Sequence, residues 1–207
     1  MKSFILFIVF ISQTVLSSAI TLDVYEQASL LESNLDNGKQ SYKLCATCHL
    51  DNGMGKANGS FPVIASQHKL VVIKQLKDIQ NKHRQNPTMR PFSDPKTIGG
   101  VQAIADVSGY IQALLNTGDN GVGSGEGLDH GKFLYLNNCT GCHGVEGQGN
   151  NKKVLPKIKA QHYAYLLRQL KWIRDGYRSN SDPDMLALIK NMSDKDLEDL
   201  ADYVSRL

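Results

Sequence analysis

The chain is written twice. Residues 61–86, "FPVIASQHKLVVIKQLKDIQNKHRQN", return at an offset of 94 as residues 155–180, "LPKIKAQHYAYLLRQLKWIRDGYRSN". Pro62 pairs with Pro156, Ile64 with Ile158, Gln67-His68 with Gln161-His162, Gln75-Leu76 with Gln169-Leu170, Ile79 with Ile173 and Arg84 with Arg178. Gly38 and Tyr42 match Gly131 and Tyr135, and Tyr110 matches Tyr203, at an offset of 93. A repeat of that length divides 207 residues into two copies of one small unit. Between them runs "NTGDNGVGSGEG", residues 116–127, with five glycines and no apolar period, which reads as a linker. Its ten residues from 118 to 127 reach at most roughly 33 Å, enough to keep the halves close without compelling them to pack.

Within each copy the apolar spacing is helical. Helices are expected over 38–48, over 68–81 with Leu70, Ile73, Leu76 and Ile79, and over 162–174 with Tyr165, Leu166, Leu170 and Ile173. A last helix follows in each copy, at 101–115 and at 194–206. Ser193 is the expected N-cap of the latter, with Asp194 and Asp196 in a first turn where the helix dipole favours negative charge. No segment alternates as a strand does, so the expected fold class is all-α.

Both copies carry Cys-x-x-Cys-His: "CATCH" at 45–49 and "CTGCH" at 139–143, which together hold all four cysteines. On a helix, cysteines three apart share a face, and the histidine four residues after the first returns to that side. Two thiols so placed can form thioethers to the two vinyl groups on one haem edge, with the imidazole aimed at the iron. This is the attachment signal for c-type haem. A thioredoxin-like redox pair would want a βαβ setting. Structural zinc is poorly served by adjacent Cys48 and His49. Disulfides, the ordinary fate of paired cysteines in an oxidising compartment, would leave both histidines and the duplication unexplained.

The N-terminus supplies that compartment. "MKSFILFIVFISQTVLSSA" has one lysine, an apolar run and small residues ending at Ala19, the pattern of an export signal cleaved there. The competing reading is an uncleaved anchor, which needs roughly 20 apolar residues where this run breaks at Ser12. The boundaries that follow are a signal over 1–19, a first unit over 20–117, the linker over 118–127 and a second unit over 128–207, with the periplasm as the expected location. With 23 basic and 20 acidic side chains the charge is too even for a nucleic-acid partner.

A haem iron needs a sixth ligand or keeps an open site. Met89 and Met185 each lie about 40 residues after their histidine, in polar, proline-containing segments just beyond Asn86 and Asn180. They are the expected axial partners of His49 and His143, against the blander reading of methionine as gap-filling core. Met54 lies too near its own motif, and Met192 reads as an apolar staple before a helix. His68 and His162 are rival ligands, read here as capping or surface residues. A His/Met pair raises the potential and leaves no coordination site open.

The doubled motif, the two Pro-x-Ile-x-x-Gln-His segments and the closing "MLALIKNMSDKDLEDLADYV" resemble the tandem dihaem cytochromes c4, over roughly 36–207. The resemblance implies two class I cytochrome c domains with two covalently bound haem c groups on Cys45, Cys48, Cys139 and Cys142. It gives His49, Met89, His143 and Met185 as axial ligands, and Pro62 and Pro156 as carbonyls that orient each imidazole. It also implies that Gly38 and Gly131 let the first helix of each unit cross the last beside Tyr110 and Tyr203. The implied role is a non-enzymatic single-electron carrier between redox partners: an oxidase, a reductase or a quinol-oxidising complex, with peripheral membrane association left open. The alternatives are an electron-transfer subunit of a dehydrogenase and a dihaem enzyme with one open haem. Lys43, Lys56, Lys152, Lys153 and Lys157 are candidate docking charges. Two departures from the family stand out: "MRPFSDPKTIGG" where a Leu-Ser-Asp helix start is expected, and residues 20–35, which have no counterpart.

Overall fold

The computed structural model describes residues 21–207; the expected signal, 1–19, lies outside the described residues. The first half contains α1 (Val24–Leu30), α2 (Leu35–His49), α3 (Lys69–Gln80), α4 (Arg90–Ser93), α5 (Pro95–Ile98) and α6 (Val101–Ala113). The second contains α7 (Leu128–Asn138), α8 (Thr140–His143), α9 (Tyr163–Arg174), α10 (Pro183–Ile189) and α11 (Asp194–Ser205). Among the described residues the only β pairing is a single antiparallel bridge between Asn150 and Leu155, so the class is all-α. Helix α2 starts at Leu35 because the Asn34 side chain accepts from Asn37 N at 3.0 Å and fixes the first turn there. Its counterpart breaks at Cys139 (φ −113°), leaving the last turn of the second motif as α8.

In each half the first long helix lies across the last, α2 on α6 and α7 on α11. The tyrosine pairs Tyr42–Tyr110 and Tyr135–Tyr203, with ring centroids 5.3 and 5.7 Å apart, sit at the two crossings. Ser193 caps α11 as expected, accepting from Asp196 N at 3.1 Å while Asp196 returns a bond to the Ser193 backbone. The matching helix α6 has Gly100 (φ +91°) at its N-cap and so no side-chain cap. Helix α1 has no sequence periodicity long enough to announce it. It is a seven-residue helix opened by a capping box of Asp23 and Glu26.

The halves are joined by the residues the repeat preserves. The side-chain amide of Gln161 pairs with both backbone groups of Val63, at 2.9 and 2.8 Å; Gln67 pairs with both of Lys157, at 3.0 and 2.8 Å. His162 Nε2 meets Met54 O at 2.6 Å, and His68 Nε2 meets Gln148 O at 2.8 Å. Met54 and Gln148 are themselves 94 apart, so the seam has an approximate two-fold axis. The His68 and His162 side chains therefore make no cap bond to their own helices: both reach across the seam. The glycine-rich segment is not slack. Gly123 N and Gly125 N donate to Asp202, Asn120 donates to Ser205 O at 2.9 Å, and Gly121 N donates to His162 Nδ1 at 3.1 Å.

Removing the clamp should loosen the seam. Gln161→Ala strands the buried N–H and C=O of Val63, at about 2 kcal/mol, since a buried group without a partner bears its full desolvation cost. In urea titrations the midpoint of the haem-loaded protein falls, and the Gln67→Ala/Gln161→Ala double variant unfolds in two steps. A double variant with the wild-type midpoint would show that the seam contributes nothing.

Candidate haem sites

Each motif histidine is held from behind. His49 Nδ1 lies 3.0 Å from Pro62 O and His143 Nδ1 lies 3.0 Å from Pro156 O. A proline carbonyl only accepts, so Nδ1 carries the proton and Nε2 keeps the lone pair. Both rings are buried, at 7 % and 9 % exposure, and burial holds each imidazole below its ordinary pKa against the opposing pull of the carbonyl. Each site thus presents one neutral, oriented nitrogen donor.

The chain turns sharply after each histidine. Leu50 (φ +65°) and Gly144 (φ +78°) leave the helix in positive-φ conformations, and the Tyr42 and Tyr135 hydroxyls donate to their carbonyls at 2.8 and 2.5 Å. The loop then wraps the proline segment: Gly53 O accepts from Ile64 N and Gly147 O from Ile158 N, both at 2.8 Å. A Cβ on Gly55 would meet Phe61 O at 2.3 Å and one on Gly149 would meet Leu155 O at 2.4 Å, so only glycine lets the loop press on the carbonyls that hold the imidazoles. These glycines were not singled out from sequence, although their spacing of 94 was there to be read.

No disulfide joins any of the four cysteines. Burial pushes Cys45 and Cys139 up to about 11, the opposite of the depressed thiol that redox exchange chemistry requires. Met89 is half-buried against the cluster of Ile73, Leu76 and Ile104, and Met185 against that of Ile173, Ile189 and Leu197. Met54, by contrast, is core, 4 % exposed and packed with Val63 and Ala65.

At the seam, Arg84 donates to Gln75, Tyr165 and Gln169 at 2.6, 2.6 and 3.1 Å, and Arg178 donates to Gln169 at 2.8 Å. Burial, then repulsion from Arg84, pulls Arg178 down to about 10. Burial raises the Tyr165 phenol, but the two guanidiniums outweigh it and leave it below its ordinary value. Both arginines bond neutral acceptors here, and a half-buried cationic pair of this kind fits a group that bears carboxylates, as haem does. The thiols, the lone-pair imidazoles and this cationic seam all suit haem. Of the candidate docking lysines, Lys43, Lys56, Lys152 and Lys153 are exposed. Lys157 is not free, because its ammonium donates to Ser66 O at 2.7 Å.

Fold and sites together define a c-type cytochrome with two haem-attachment sites. A family model described as cytochrome c matches residues 128–207. Cytochrome c4 of Stutzerimonas stutzeri is 28% identical over 218 aligned residues, 95% of this chain and 99% of the relative. A thiosulfate dehydrogenase electron acceptor from the same species is 29% identical, covering 79% of this chain and 78% of the relative. The crystal structure of reduced recombinant cytochrome c4 from Pseudomonas stutzeri superposes with a TM-score of 0.72 at 28% identity, over 84% of this chain and 99% of that one. The chain is similar to the cytochromes c4 over most of its length. It is a dihaem electron-transfer cytochrome with two covalently attached haem c groups.

Proposed function

We propose that the protein is an exported carrier of single electrons between periplasmic redox enzymes, its irons closed by His49 with Met89 and by His143 with Met185. The observation that carries the reading is the imidazole locked by a proline carbonyl in each half, supported by a half-buried methionine later in the same half, Met89 at the N-cap of α4 and Met185 in α10. When bound, haem supplies a one-electron iron couple. The protein's part is to hold both donors still in either oxidation state: Pro62 and Pro156 fix the rings, and the seam clamps on Val63 and Lys157 fix the residues just after those prolines. Cys45, Cys48, Cys139 and Cys142 would hold the haems covalently. Among the described residues no helix is long and apolar enough to cross a membrane.

The test is optical. Oxidised protein should show a far-red sulfur-to-iron band worth two haems, and reduced protein should ignore carbon monoxide. Binding of carbon monoxide at one haem, with half the band, would replace the carrier by an enzyme with an open iron. A second reading has its own support, because two relatives are named as thiosulfate dehydrogenase electron acceptors. Co-purification with a dehydrogenase in a fixed ratio would make this chain a subunit; a clean monomer or homodimer speaks for the free carrier.

A further inference from the structure

Helix α1 lies ahead of the repeated unit, yet it is built into the first half beside the segment that bears Met89. The segment bearing Met89 is short. Met89 N donates to Asn86 Oδ1 at 3.1 Å, and Met89 O accepts from Phe92 N and Ser93 N at 3.0 and 3.1 Å, closing the four-residue α4. A helix this short leaves its last carbonyls without intrahelical partners. Ser93, fully buried, is its last residue, and the Tyr25 hydroxyl of α1 donates to Ser93 O at 2.7 Å. The Tyr25 ring and Ala28, 5 % and 0 % exposed, join Ile73, Leu76 and Ile104 in the cluster against which Met89 packs.

The strap is anchored along its length. Lys77 pairs with Asp23 and Glu26 at 2.6 and 2.9 Å, Lys69 donates to Leu31 O, and Gln102 donates to Glu32 O at 3.0 Å. Ser33 donates to Ala105 O at 2.7 Å. The second half is built otherwise. Met185 sits inside α10, a seven-residue helix whose Asp182 N-cap accepts from Asp184 N and whose Lys190 N closes on Leu186 O at 2.9 Å. The segment before α7 runs instead to Asp202, Ser205 and His162. One methionine rides on a helix that supports itself, the other on a turn completed from outside.

We infer that α1 is a positioning strap for Met89, holding the sulfur ligand of the first haem through the Tyr25–Ser93 contact while the second haem's ligand is independent of it. The inference rests on Met89 being that ligand. Its consequence is that the first haem's ligation can be tuned by the N-terminal segment alone.

Imidazole titration of the oxidised, haem-loaded protein, followed by loss of the far-red sulfur band, tests it. Met89→Ala identifies the half of the band that belongs to the first haem. In Tyr25→Phe, which keeps the ring and loses only the hydroxyl, that half should be displaced at about fivefold lower imidazole. Such a change is ~1 kcal/mol, the net contribution of one hydrogen bond made only while Met89 is in place. The Met185 half should not move. Ser33→Ala, which cuts the strap's far anchor, should lower the melting temperature without changing either displacement midpoint. A shift under twofold in Tyr25→Phe overturns the strap, and so does an equal shift in both halves, which would be general loosening. A Met89→Ala protein that keeps the whole band would refute the ligand assignment instead.

Discussion

Met89→Ala should cost the oxidised protein half of its far-red sulfur-to-iron band and open the reduced first haem to carbon monoxide; Met185→Ala should do the same at the second. Alanine has no donor atom. The His49 and His143 rings keep their proline carbonyls and stay in place, so the loss falls on one face of each iron. The potential of the affected haem should fall by on the order of 0.1 V, because the thioether favours the reduced iron and axial ligands set a span of roughly 0.8 V. Neither variant should unfold the protein, since Met89 and Met185 are only half-buried. Met54→Ala is the discriminating control. Met54 is 4 % exposed among Val63 and Ala65, so its truncation should lower stability by about 3 kcal/mol and leave both bands whole. If Met89→Ala and Met185→Ala both retained the full band, the sulfur would have to come from Met54 or Met192 and the ligand assignment would fall.

The sites were legible because covalent attachment demands fixed spacing. Cys45, Cys48 and His49 can serve one porphyrin edge only from one helical face, so the motif survives as a string. The seam was legible only as a pattern without a meaning. Gln67, Gln75, Arg84 and their partners at 161, 169 and 178 stand out as matched polar residues, but a repeat cannot say whether a preserved residue faces its own core or the other copy. Tyr165 shows the limit: its helical spacing places it with Leu166 and Leu170, while its hydroxyl meets Arg84 of the other half at 2.6 Å. Helix α1 was illegible for a different reason. Seven residues are too short to show a period, and what fixes them is tertiary, in the burial of Tyr25 and Ala28. The short α4 escaped likewise, since its geometry depends on Asn86 and on a hydroxyl 68 positions away.

Gly131→Ala should destabilise the second half by about 3 kcal/mol or more, and Gly38→Ala the first by a similar amount. Intrinsic propensity argues the other way, because alanine in a helix interior is favoured over glycine by about 1 kcal/mol. Contact decides the sign. A Cβ on Gly131 would stand 2.1 Å from Asp199 O and 2.6 Å from its carbonyl carbon; one on Gly38 would stand 2.3 and 2.8 Å from the same atoms of Asp106. These are backbone atoms inside α11 and α6, which cannot rotate aside as a side chain can, so the helices themselves must part. Parting them separates Tyr135 from Tyr203 and pulls on the Tyr135 hydroxyl that closes the turn after His143. Gly141→Ala is the control. Its Cβ meets nothing within 4 Å and its counterpart in the first motif is Thr47, so it should be neutral or stabilising by up to about 1 kcal/mol. Urea midpoints of the three haem-loaded variants, read by circular dichroism, give the comparison. If Gly131→Ala were as stable as Gly141→Ala, the helix crossing would not be what sets the haem motif against the last helix. If it unfolds early, the same glycine in both halves is explained by backbone contact: only at that closeness does the helix that ends in Cys-x-x-Cys-His meet the one that closes the unit.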